Sequence, residues 1–423
     1  MDPHPARTMF CLPYAGGGAG AYTGLLRELT HLTVVPVQLP GRESRIAEPP
    51  AFTIDEIADE VARATDEPYA LYGHSMGARL AFEVVRELRR RGLRGPSRLY
   101  VGGAHPPDRR VPLAAAVDLP DDAFIDQLVR RSGALSELKH MPELRELMMP
   151  VLRSDFTWIK NYAFAPEPPI DTPIVAFTGL DDGEVGAAEM LGWARHTTAG
   201  FRLRTLRGGH LFVKDHPAEL AALIAADLAA EHPLPEPDEL HLWLGRPADH
   251  TPILRHYTGR ATVGTDHAND DLTLVAAIST THTNGPMSLA AGDEPGIGVA
   301  VLRALDVAAP DSGLAELSGD EREQIEDAAE EDRGWLALRA VAAKRALMAA
   351  DGRGADPSAV SFPDLADPGP WRAQDSGPGL DRLDRWQVVH LPLHTSRGEA
   401  LGAVAVPHDR VRLRFDTPAE QAG

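Results

Sequence analysis

The sequence predicts an α/β protein whose mostly parallel sheet is followed by a second, smaller α+β domain. Short β-rich runs alternate with helical patterns over about the first 230 residues, which is typical of a parallel sheet covered by helices on both faces. A chain of 423 residues is also long for one domain. A proline-interrupted run, AAEHPLPEPDELHLWLG, separates this alternating half from a more acidic half.

Each predicted strand of the first half is a short β-rich run. The six runs are TMFCLPY, LTVVPVQLP, YALYGHS, RLYVGGA, TPIVAFTG and FRLRTLRG, and a helical run, ARLAFEVVRELRRRG, is stopped by Gly92. In the second half, strand patterns at ELHLWLG, DLTLVAAIST, GIGVAVL and WQVVHLPLH accompany one long helical run, EREQIEDAAEEDRGWLALRAVAAKRALMAADG. We therefore place the domains at residues 1–231 and 238–423, joined by a linker at 232–237.

Composition and charge exclude several classes of protein. The net charge is −20, of which residues 231–423 carry −15, and so acidic a chain is a poor ligand for nucleic-acid phosphates. No apolar run approaches the roughly 18 residues of a membrane span, and the N-terminus MDPHPARTMF lacks a signal-peptide pattern. The single cysteine, Cys11, precludes an internal disulfide and a thiolate metal cluster. We predict a cytoplasmic protein without a membrane or nucleic-acid partner.

Ser75 is the candidate nucleophile. Gly73-His74-Ser75-Met76-Gly77 fits G-x-S-x-G, the strained strand-to-helix turn that raises a serine hydroxyl above the sheet of an α/β-hydrolase. The motif follows an apolar strand run and opens a periodic helix, which is the context it requires. The alternative interpretation is an ordinary tight turn whose serine caps the helix.

A serine nucleophile needs a base and an orienting carboxylate, which follow it in the order acid, then histidine, in this fold. TPIVAFTGLDDGEV is a strand that runs into an acidic turn, and LRTLRGGHLFVKDHP is the next strand with a Gly-Gly-His loop. We predict that Asp182 accepts from His210 and that His210 takes the Ser75 proton. The other candidates in these turns are Asp181, Glu184 and His216.

The oxyanion hole is expected to combine two backbone amides. One belongs to Met76, directly after the nucleophile, and the other to Ala15 in the early loop Pro13-Tyr-Ala-Gly-Gly-Gly-Ala19. A nucleotide-binding glycine loop is the rival interpretation of this segment. Its G-x-G-x-x-G spacing is only partly present, and no acidic ribose partner is evident.

Residues 8–230 resemble the type II thioesterases of polyketide and nonribosomal peptide pathways. The resemblance lies in LPYAGGGAGAY, VVPVQLPGRESRIAEPP, YALYGHSMGARLAFEV and the Gly-Gly-His loop. It implies an α/β-hydrolase fold with a helical lid at about residues 113–165, the catalytic residues Ser75, Asp182 and His210, and the amides of Ala15 and Met76. It also implies hydrolysis of acyl groups from the phosphopantetheine arm of carrier proteins, without a cofactor.

Two features of this half keep a structural alternative. The segment ELRELMMPVLRSDFTWIKNYAF resembles the lid helix that covers the acyl channel. The apolar residues from Met141 to Leu152, however, follow helical spacing and can equally pack into a core. The arginines between Arg86 and Arg94 can receive an acidic carrier protein, or can lie favourably at a helix C-terminus.

The second half resembles 4′-phosphopantetheinyl transferases in ISTTHTNGPMSLAAG, GIGVAVLRALD, LSGDEREQ and WLALRAVAAKRALMAADG. Where that family has the carboxylates that hold magnesium, this chain has Ala300, Leu302 and Arg345, and a hard cation needs anionic oxygens. His282 and Lys344 match the family and, with Arg345, are candidate phosphate contacts. We predict a transferase-like domain that binds no metal and has lost its chemistry.

The sequence thus predicts a serine thioesterase fused to an inactive transferase-like domain that docks the carrier protein. One alternative is a bifunctional enzyme that holds its metal through other acids such as Asp306. Another is a non-catalytic protein that only binds carrier proteins. The ordered set Ser75, Asp182 and His210 argues against the last one.

Overall fold

The computed structural model describes residues 6–64, 67–132, 135–229, 239–245, 261–268, 272–279, 297–303, 314–352, 355–367, 371–374, 383, 386–395, 398–406 and 412–417. The chain divides into two compact units, residues up to 232 and residues 233–418. Within the described ranges, no helix is both long enough and apolar enough to cross a membrane.

The first unit contains a six-stranded parallel sheet. Its strands are β1 (Thr8–Leu12), β2 (Thr33–Pro36), β3 (Tyr69–His74), β4 (Arg98–Gly102), β5 (Ile174–Gly179) and β6 (Phe201–Leu206). They lie in the order β2-β1-β3-β4-β5-β6, and each neighbouring pair is parallel. All residues of β3 and β5 are buried, as expected where helices cover both faces. The α/β prediction for this half is confirmed, and each of the six predicted runs forms a strand.

Eight helices surround this sheet. They are α1 (Thr23–Glu28), α2 (Ile54–Ala64), α3 (Met76–Arg90), α4 (Asp121–Ser132), α5 (Pro142–Asn161), α6 (Ala187–Leu191), α7 (Phe212–Asp215) and α8 (Pro217–Leu228). Short 3-10 turns occur at Ala19–Tyr22, Glu43–Arg45, Pro112–Asp118, Ser136–Lys139 and Gly192–His196. The loops that follow β3, β5 and β6 meet at one edge of the sheet, because the carboxyl ends of parallel strands share an edge, where α/β proteins place their ligands.

The described residues of the second unit form two groups of paired strands and two helices. Its strands are β7 (Glu239–Gly245), β8 (Ala261–Ala268), β9 (Leu272–Ser279), β10 (Gly298–Arg303), β11 (Gln387–Thr395), β12 (Gly398–Val406) and β13 (Arg412–Thr417). They pair in the orders β13-β7-β9-β8 and β10-β12-β11, antiparallel except for β13 with β7. The helices α9 (Gly319–Asp327) and α10 (Glu330–Asp351) follow β10.

The prediction for the second unit was incomplete. Strands β8, β12 and β13 were missed, because segments such as ATVGTDHA and RLRFDT mix small, charged and apolar residues and become strands only against their partners. The predicted single helix is two helices, since Ala328 and Ala329 adopt ψ angles of 160° and 142° and break the helical run. Helix α10 contributes Val341 and Leu347 to a core shared with Leu401 of β12.

Candidate active site

Ser75 lies in the turn between β3 and α3 with a strained backbone. Its φ is 53° and its ψ is −116°, values that a non-glycine residue adopts only when the surroundings impose them. The Ser75 amide donates to the Gly102 carbonyl at 2.7 Å, which ties the turn to the end of β4. A Cβ on Gly73 would lie 2.1 Å from the Gly77 oxygen, and one on Gly77 would lie 2.1 Å from the Leu12 oxygen. The flanking glycines are therefore required by backbone crowding.

Ser75, His210 and Asp182 form a continuous hydrogen-bonded chain. The Ser75 Oγ lies 3.1 Å from His210 Nε2, and His210 Nδ1 lies 2.9 Å from Asp182 Oδ2. Because an ionised carboxylate can only accept, Nδ1 carries the proton of the neutral ring and Nε2 is left as the acceptor. This tautomer is the one that a serine needs in order to give up its proton.

The carboxylate of Asp182 is held in its charged form. Its side chain is fully buried, and Oδ1 accepts from the amides of Glu184 (2.8 Å) and Val185 (3.1 Å). Burial alone would raise the pKa of Asp182, but the hydrogen bond and charge of His210, together with those two amides, bring the pKa below its ordinary value. The buried negative charge thus stays available to stabilise an imidazolium.

The other candidates from the two turns do not join this chain. Asp181 is exposed, and its amide donates to the Gly208 carbonyl at 2.9 Å. The Glu184 side chain instead points toward His105, with 3.8 Å between Glu184 Oε1 and His105 Nε2. His216 is the residue before helix α8. Among the described residues, Asp182 is the acid that contacts His210.

His74 supports the backbone of His210, a role that the sequence did not reveal. His74 Nε2 lies 2.7 Å from the His210 carbonyl oxygen, and His74 Nδ1 lies 3.1 Å from the Tyr72 hydroxyl. Because a carbonyl only accepts, Nε2 donates and Nδ1 accepts from Tyr72. Complete burial, reinforced by the neighbouring His210, lowers the pKa of His74 to about 3. His74 therefore stays neutral at ordinary pH and holds the His210 loop by a fixed hydrogen bond.

The two predicted oxyanion-hole residues both line the cleft that contains Ser75 and His210. Met76 is the first residue of α3, and its amide is therefore among the four N–H groups that have no partner within the helix. Ala15 lies in the glycine loop after β1. In that loop, the Gly16 amide donates to Asp155 Oδ2 at 2.8 Å and the Gly17 amide donates to the Tyr14 carbonyl at 2.8 Å.

A buried ion pair connects this glycine loop to helix α5. Arg42 Nη1 and Nη2 donate to Asp155 Oδ2 and Oδ1 at 2.8 and 2.9 Å, and Nη1 also donates to the Gly17 carbonyl at 3.0 Å. The side chains are 5% and 0% exposed, respectively. Arg42 belongs to the VQLPGRE segment, but its partner lies 113 residues further along the chain, and sequence spacing offers no signal for such a contact.

The cleft is roofed by residues of the 112–161 segment. Its lining includes Leu113, Leu128, Phe156 and Ile159 from that segment, and its empty space, including the open mouth, is about 680 Å³. Of the apolar residues between Met141 and Leu152 that were expected to line the channel or pack into a core, Leu147 is 56% exposed and Leu152 is buried. The residues of α5 that line the cleft are Phe156 and Ile159, one and two helical turns after Leu152.

The arginines at the end of α3 are paired within the protein. Their partners come from the same helix, from α2 and from the segment before β5, and the nitrogen–oxygen distances in three of these pairs are 2.6–2.8 Å. These pairs are Arg86–Glu83, Arg86–Glu167 and Arg91–Asp59. The structure thus favours a structural role for these cations over reception of a carrier protein.

In the second unit, the geometry argues against the expected phosphate role of Lys344. Its ammonium is fully buried, lies 2.8 Å from Glu321 Oε2, and donates to the Pro357 and Val360 carbonyls at 2.8 and 2.5 Å. An ammonium has three donors, and all three are used inside the protein. Arg345 pairs with Glu316 at 2.8 Å. His282 and Asp306 lie outside the described residues.

Comparison with known proteins assigns the first unit. The sequence model of the thioesterase domain matches residues 7–228, more than half of the chain. The chain belongs to the thioesterase family. It is 34% identical over 228 residues to linear gramicidin dehydrogenase LgrE of Brevibacillus parabrevis, covering 52% of this chain and 87% of that protein.

Two further relatives cover the same region. Thioesterase PikA5 of Streptomyces venezuelae is 34% identical over 241 residues, covering 55% of this chain and 85% of PikA5. Gramicidin S biosynthesis protein GrsT of Aneurinibacillus migulanus is 33% identical over 231 residues, covering 52% and 88%. The protein is a thioesterase by this family membership, and the matched region coincides with the unit that carries Ser75, Asp182 and His210.

Proposed function

We propose that this thioesterase is of the type II class and hydrolyses acyl groups from the phosphopantetheine arms of carrier proteins in polyketide or nonribosomal peptide synthesis. The hydrogen-bonded chain Ser75–His210–Asp182 at the floor of an apolar cleft carries this proposal. The motif resemblance supports the carrier-protein substrate. GrsT, named for the biosynthesis of gramicidin S, is a relative over the same residues. Such synthesis places the enzyme in the cytoplasm.

In the proposed first step, the Ser75 oxygen attacks the thioester carbonyl and its proton passes to His210 Nε2. The 3.1 Å separation of these atoms permits direct transfer. The resulting imidazolium faces the buried carboxylate of Asp182, whose lowered pKa keeps it charged. The oxyanion of the tetrahedral intermediate is stabilised by the amides of Ala15 and Met76, which are proposed as the oxyanion hole.

The intermediate collapses by breaking the carbon–sulfur bond. His210 returns its proton to the departing sulfur, so that the phosphopantetheine leaves as a thiol and the acyl group stays on Ser75 as an ester. A water molecule then attacks this ester, His210 accepts its proton, and collapse returns that proton to Ser75 with release of the carboxylic acid. No metal or cofactor enters this sequence of steps.

The experiment is to incubate purified protein with acyl carrier proteins and follow free thiol and carrier mass by mass spectrometry. Ser75→Ala is expected to lower the hydrolysis rate by several orders of magnitude while the circular dichroism spectrum stays unchanged. Hydrolysis of acyl carrier protein by Ser75→Ala at the parental rate would show that Ser75 is not the nucleophile. The rate without enzyme sets the baseline.

We further propose that residues 238–423 form a transferase-like domain that lacks transferase activity and docks the carrier protein. At the positions of the family's metal-binding carboxylates, Ala300 and Leu302 are buried apolar side chains, and Arg345 is a cation paired with Glu316. These side chains offer no oxygen ligand to a magnesium ion. Docking would raise the effective concentration of the acyl arm at Ser75.

Two assays test the role of this domain. Apo-carrier protein incubated with coenzyme A and magnesium is expected to gain no phosphopantetheine mass, and any gain would favour a bifunctional enzyme. A chain ending at residue 231 is expected to lose more activity on carrier-bound thioesters than on small thioesters, which also report whether it folds. An equal loss on both would contradict docking.

A non-catalytic binding protein is the remaining alternative. It requires Ser75 to be catalytically inactive although Ser75 Oγ and His210 Nε2 lie within hydrogen-bonding distance. Binding of acyl carrier protein without any release of thiol by the wild-type chain would favour this alternative over the proposed hydrolysis.

A further inference from the structure

Among the residues that the structure describes, two buried polar atoms in the cleft have no hydrogen-bond partner. They are Nε2 of His105 and Oε1 of Glu184, and both residues line the same cleft as Ser75 and His210. Their side chains are only 12% and 6% exposed. A buried polar atom without a partner costs free energy, and proteins satisfy nearly all such atoms. This exception at the wall of a binding cleft indicates a place for a polar group of the ligand.

The distance between the two atoms sets the size of that group. At 3.8 Å, His105 Nε2 and Glu184 Oε1 are too far apart to bond to each other. One oxygen or nitrogen atom can sit between them at about 2.8 Å from each, the ordinary hydrogen-bond length. The pair therefore matches a single heteroatom on an otherwise apolar chain, because the surrounding lining includes Leu113, Leu128 and Val185.

We propose that His105 and Glu184 form a subsite for a hydroxyl group on the acyl chain. This rests on the proposed function of the cleft. A hydroxyl donates its hydrogen to the carboxylate of Glu184 and accepts from the N–H of His105, so both unpartnered atoms are satisfied. A ketone oxygen only accepts and would face the carboxylate unfavourably. An ammonium group has three donors but finds one acceptor here, the Glu184 carboxylate, and faces the N–H of His105, so it would be buried incompletely paired.

The chain places this subsite close to the reacting carbonyl. His105 follows Gly103 by two residues, and a Cβ on Gly103 would lie 3.5 Å from both Asp182 Oδ2 and His210 Cε1. Glu184 follows Asp182 by two residues, and its amide donates to the Asp182 carboxylate. Two residues span at most about 7 Å. The hydroxyl is therefore expected on one of the first carbons after the thioester, as in 2- or 3-hydroxyacyl groups.

The test compares four-carbon thioesters of N-acetylcysteamine with the full-length protein. The set is butanoyl, 2-hydroxybutanoyl, 3-hydroxybutanoyl, 3-oxobutanoyl and 3-aminobutanoyl. We expect kcat/KM for one of the hydroxy substrates to exceed that for butanoyl by roughly 10- to 100-fold, since each hydrogen bond to a buried partner contributes about a factor of ten. The keto and amino substrates are expected to fall below the hydroxy substrates.

Variants then assign the preference to the pair. Glu184→Leu and His105→Leu are each expected to lower the hydroxy-to-butanoyl ratio by about tenfold, because one of the two hydrogen bonds to the hydroxyl is lost. Leu128→Met, which also lines the cleft, is the matched control. It is expected to change the rates on both substrates together and to leave their ratio as in the parent.

The outcomes separate this proposal from the proposed function. If the parent hydrolyses none of the thioesters, and Ser75→Ala has no effect on carrier-bound substrates, the proposed function is wrong. If the parent hydrolyses them all at similar rates, or the hydroxyl preference is undiminished in Glu184→Leu and His105→Leu, the subsite is wrong and the hydrolase stands. A preference for the amino substrate over the hydroxy substrates overturns the hydroxyl assignment.

Discussion

Replacing Asp155 with asparagine is expected to loosen the contact between helix α5 and the glycine loop. The Asp155 carboxylate accepts three hydrogen bonds, two from Arg42 and one from the Gly16 amide, at 2.8–2.9 Å. Asparagine has nearly the same shape but no charge, and its amide nitrogen must face a donor. The Arg42 guanidinium, 5% exposed, is then buried without its counter-charge.

The expected magnitude follows from the burial of this pair. Removing one partner of a buried ion pair typically costs about 3–5 kcal/mol, because the other charge is left unpaired. For a unit of this size, such a loss corresponds to a fall in Tm of roughly 10 °C. The same change weakens the set of hydrogen bonds that holds Gly16, the neighbour of the proposed oxyanion donor Ala15, and small displacements of such a donor lower kcat by about ten- to hundredfold.

The assay combines thermal unfolding, followed by circular dichroism, with hydrolysis of a small thioester well below the transition. Asp118→Asn is the matched control, because Asp118 also pairs with α5 through Lys160, at 2.6 Å, but with side chains 63% and 41% exposed. An exposed pair contributes about 0–1 kcal/mol. The double variant Arg42→Met with Asp155→Leu is expected to recover much of the lost stability, since it leaves no unpaired charge. Equal effects of Asp155→Asn and Asp118→Asn would refute the reasoning.

Three other predictions address the triad, the support of His210 and the second unit. Asp182→Asn is expected to lower kcat by about 10⁴-fold through the wrong His210 tautomer, whereas Asp181→Asn is expected to have little effect; equal damage would contradict the assignment. Because the folded protein holds His74 neutral down to about pH 3, while an unfolded chain protonates histidine near pH 6.5, stability falls as the pH drops below 6.5. The measurement is the free energy of unfolding in urea at pH 6.5, 5.5 and 4.5. His74→Gln is expected to reduce the decrease of this free energy by up to about 1.4 kcal/mol per pH unit. If the free energy of unfolding of the variant depended on pH as in the parent, His74 would not be the titrating group. Lys344→Met leaves the buried Glu321 carboxylate unpaired, so the second unit is expected to lose about 3 kcal/mol of stability and to unfold at a lower Tm. Hydrolysis of small thioesters is expected to stay unchanged, and a drop in that hydrolysis would link Lys344 to the first unit.

The sheet of the first unit was predictable because its strands are buried on both faces. Most of them are continuous apolar runs that end near a glycine, a proline or a charged turn, and β6, which contains Arg202 and Arg204, is the exception. In the second unit, β13 contains Arg412 and Arg414, and β8 is largely small and polar. Strands of this composition are specified by pairing with their neighbours, and local pattern does not reveal that pairing.

The triad was predictable for a different reason. Each of its members follows a strand of a parallel sheet, so that topology alone brings Ser75, Asp182 and His210 to one edge. The choice of Asp182 over Asp181 followed the resemblance to type II thioesterases, and alternation along an extended segment implied only that both acids cannot face His210. That choice agrees with the observed contact of Asp182 Oδ2 with His210, and the catalytic role of the three residues stays a prediction. His74 was overlooked because its role depends on a carbonyl 136 residues away.

In the proposed function, catalysis and substrate choice depend on the same two turns of the chain. The turn after β4 places Gly103 against the triad and His105 in the cleft, and the turn after β5 places Asp182 on His210 and Glu184 opposite His105. Because each pair is separated by two residues, a shift of either turn moves a triad contact and a cleft residue together. Changes of acyl preference are therefore expected to come more readily from Leu113 and Leu128, which line the cleft from the roof, than from the two turns, where altered specificity would also alter the geometry of His210.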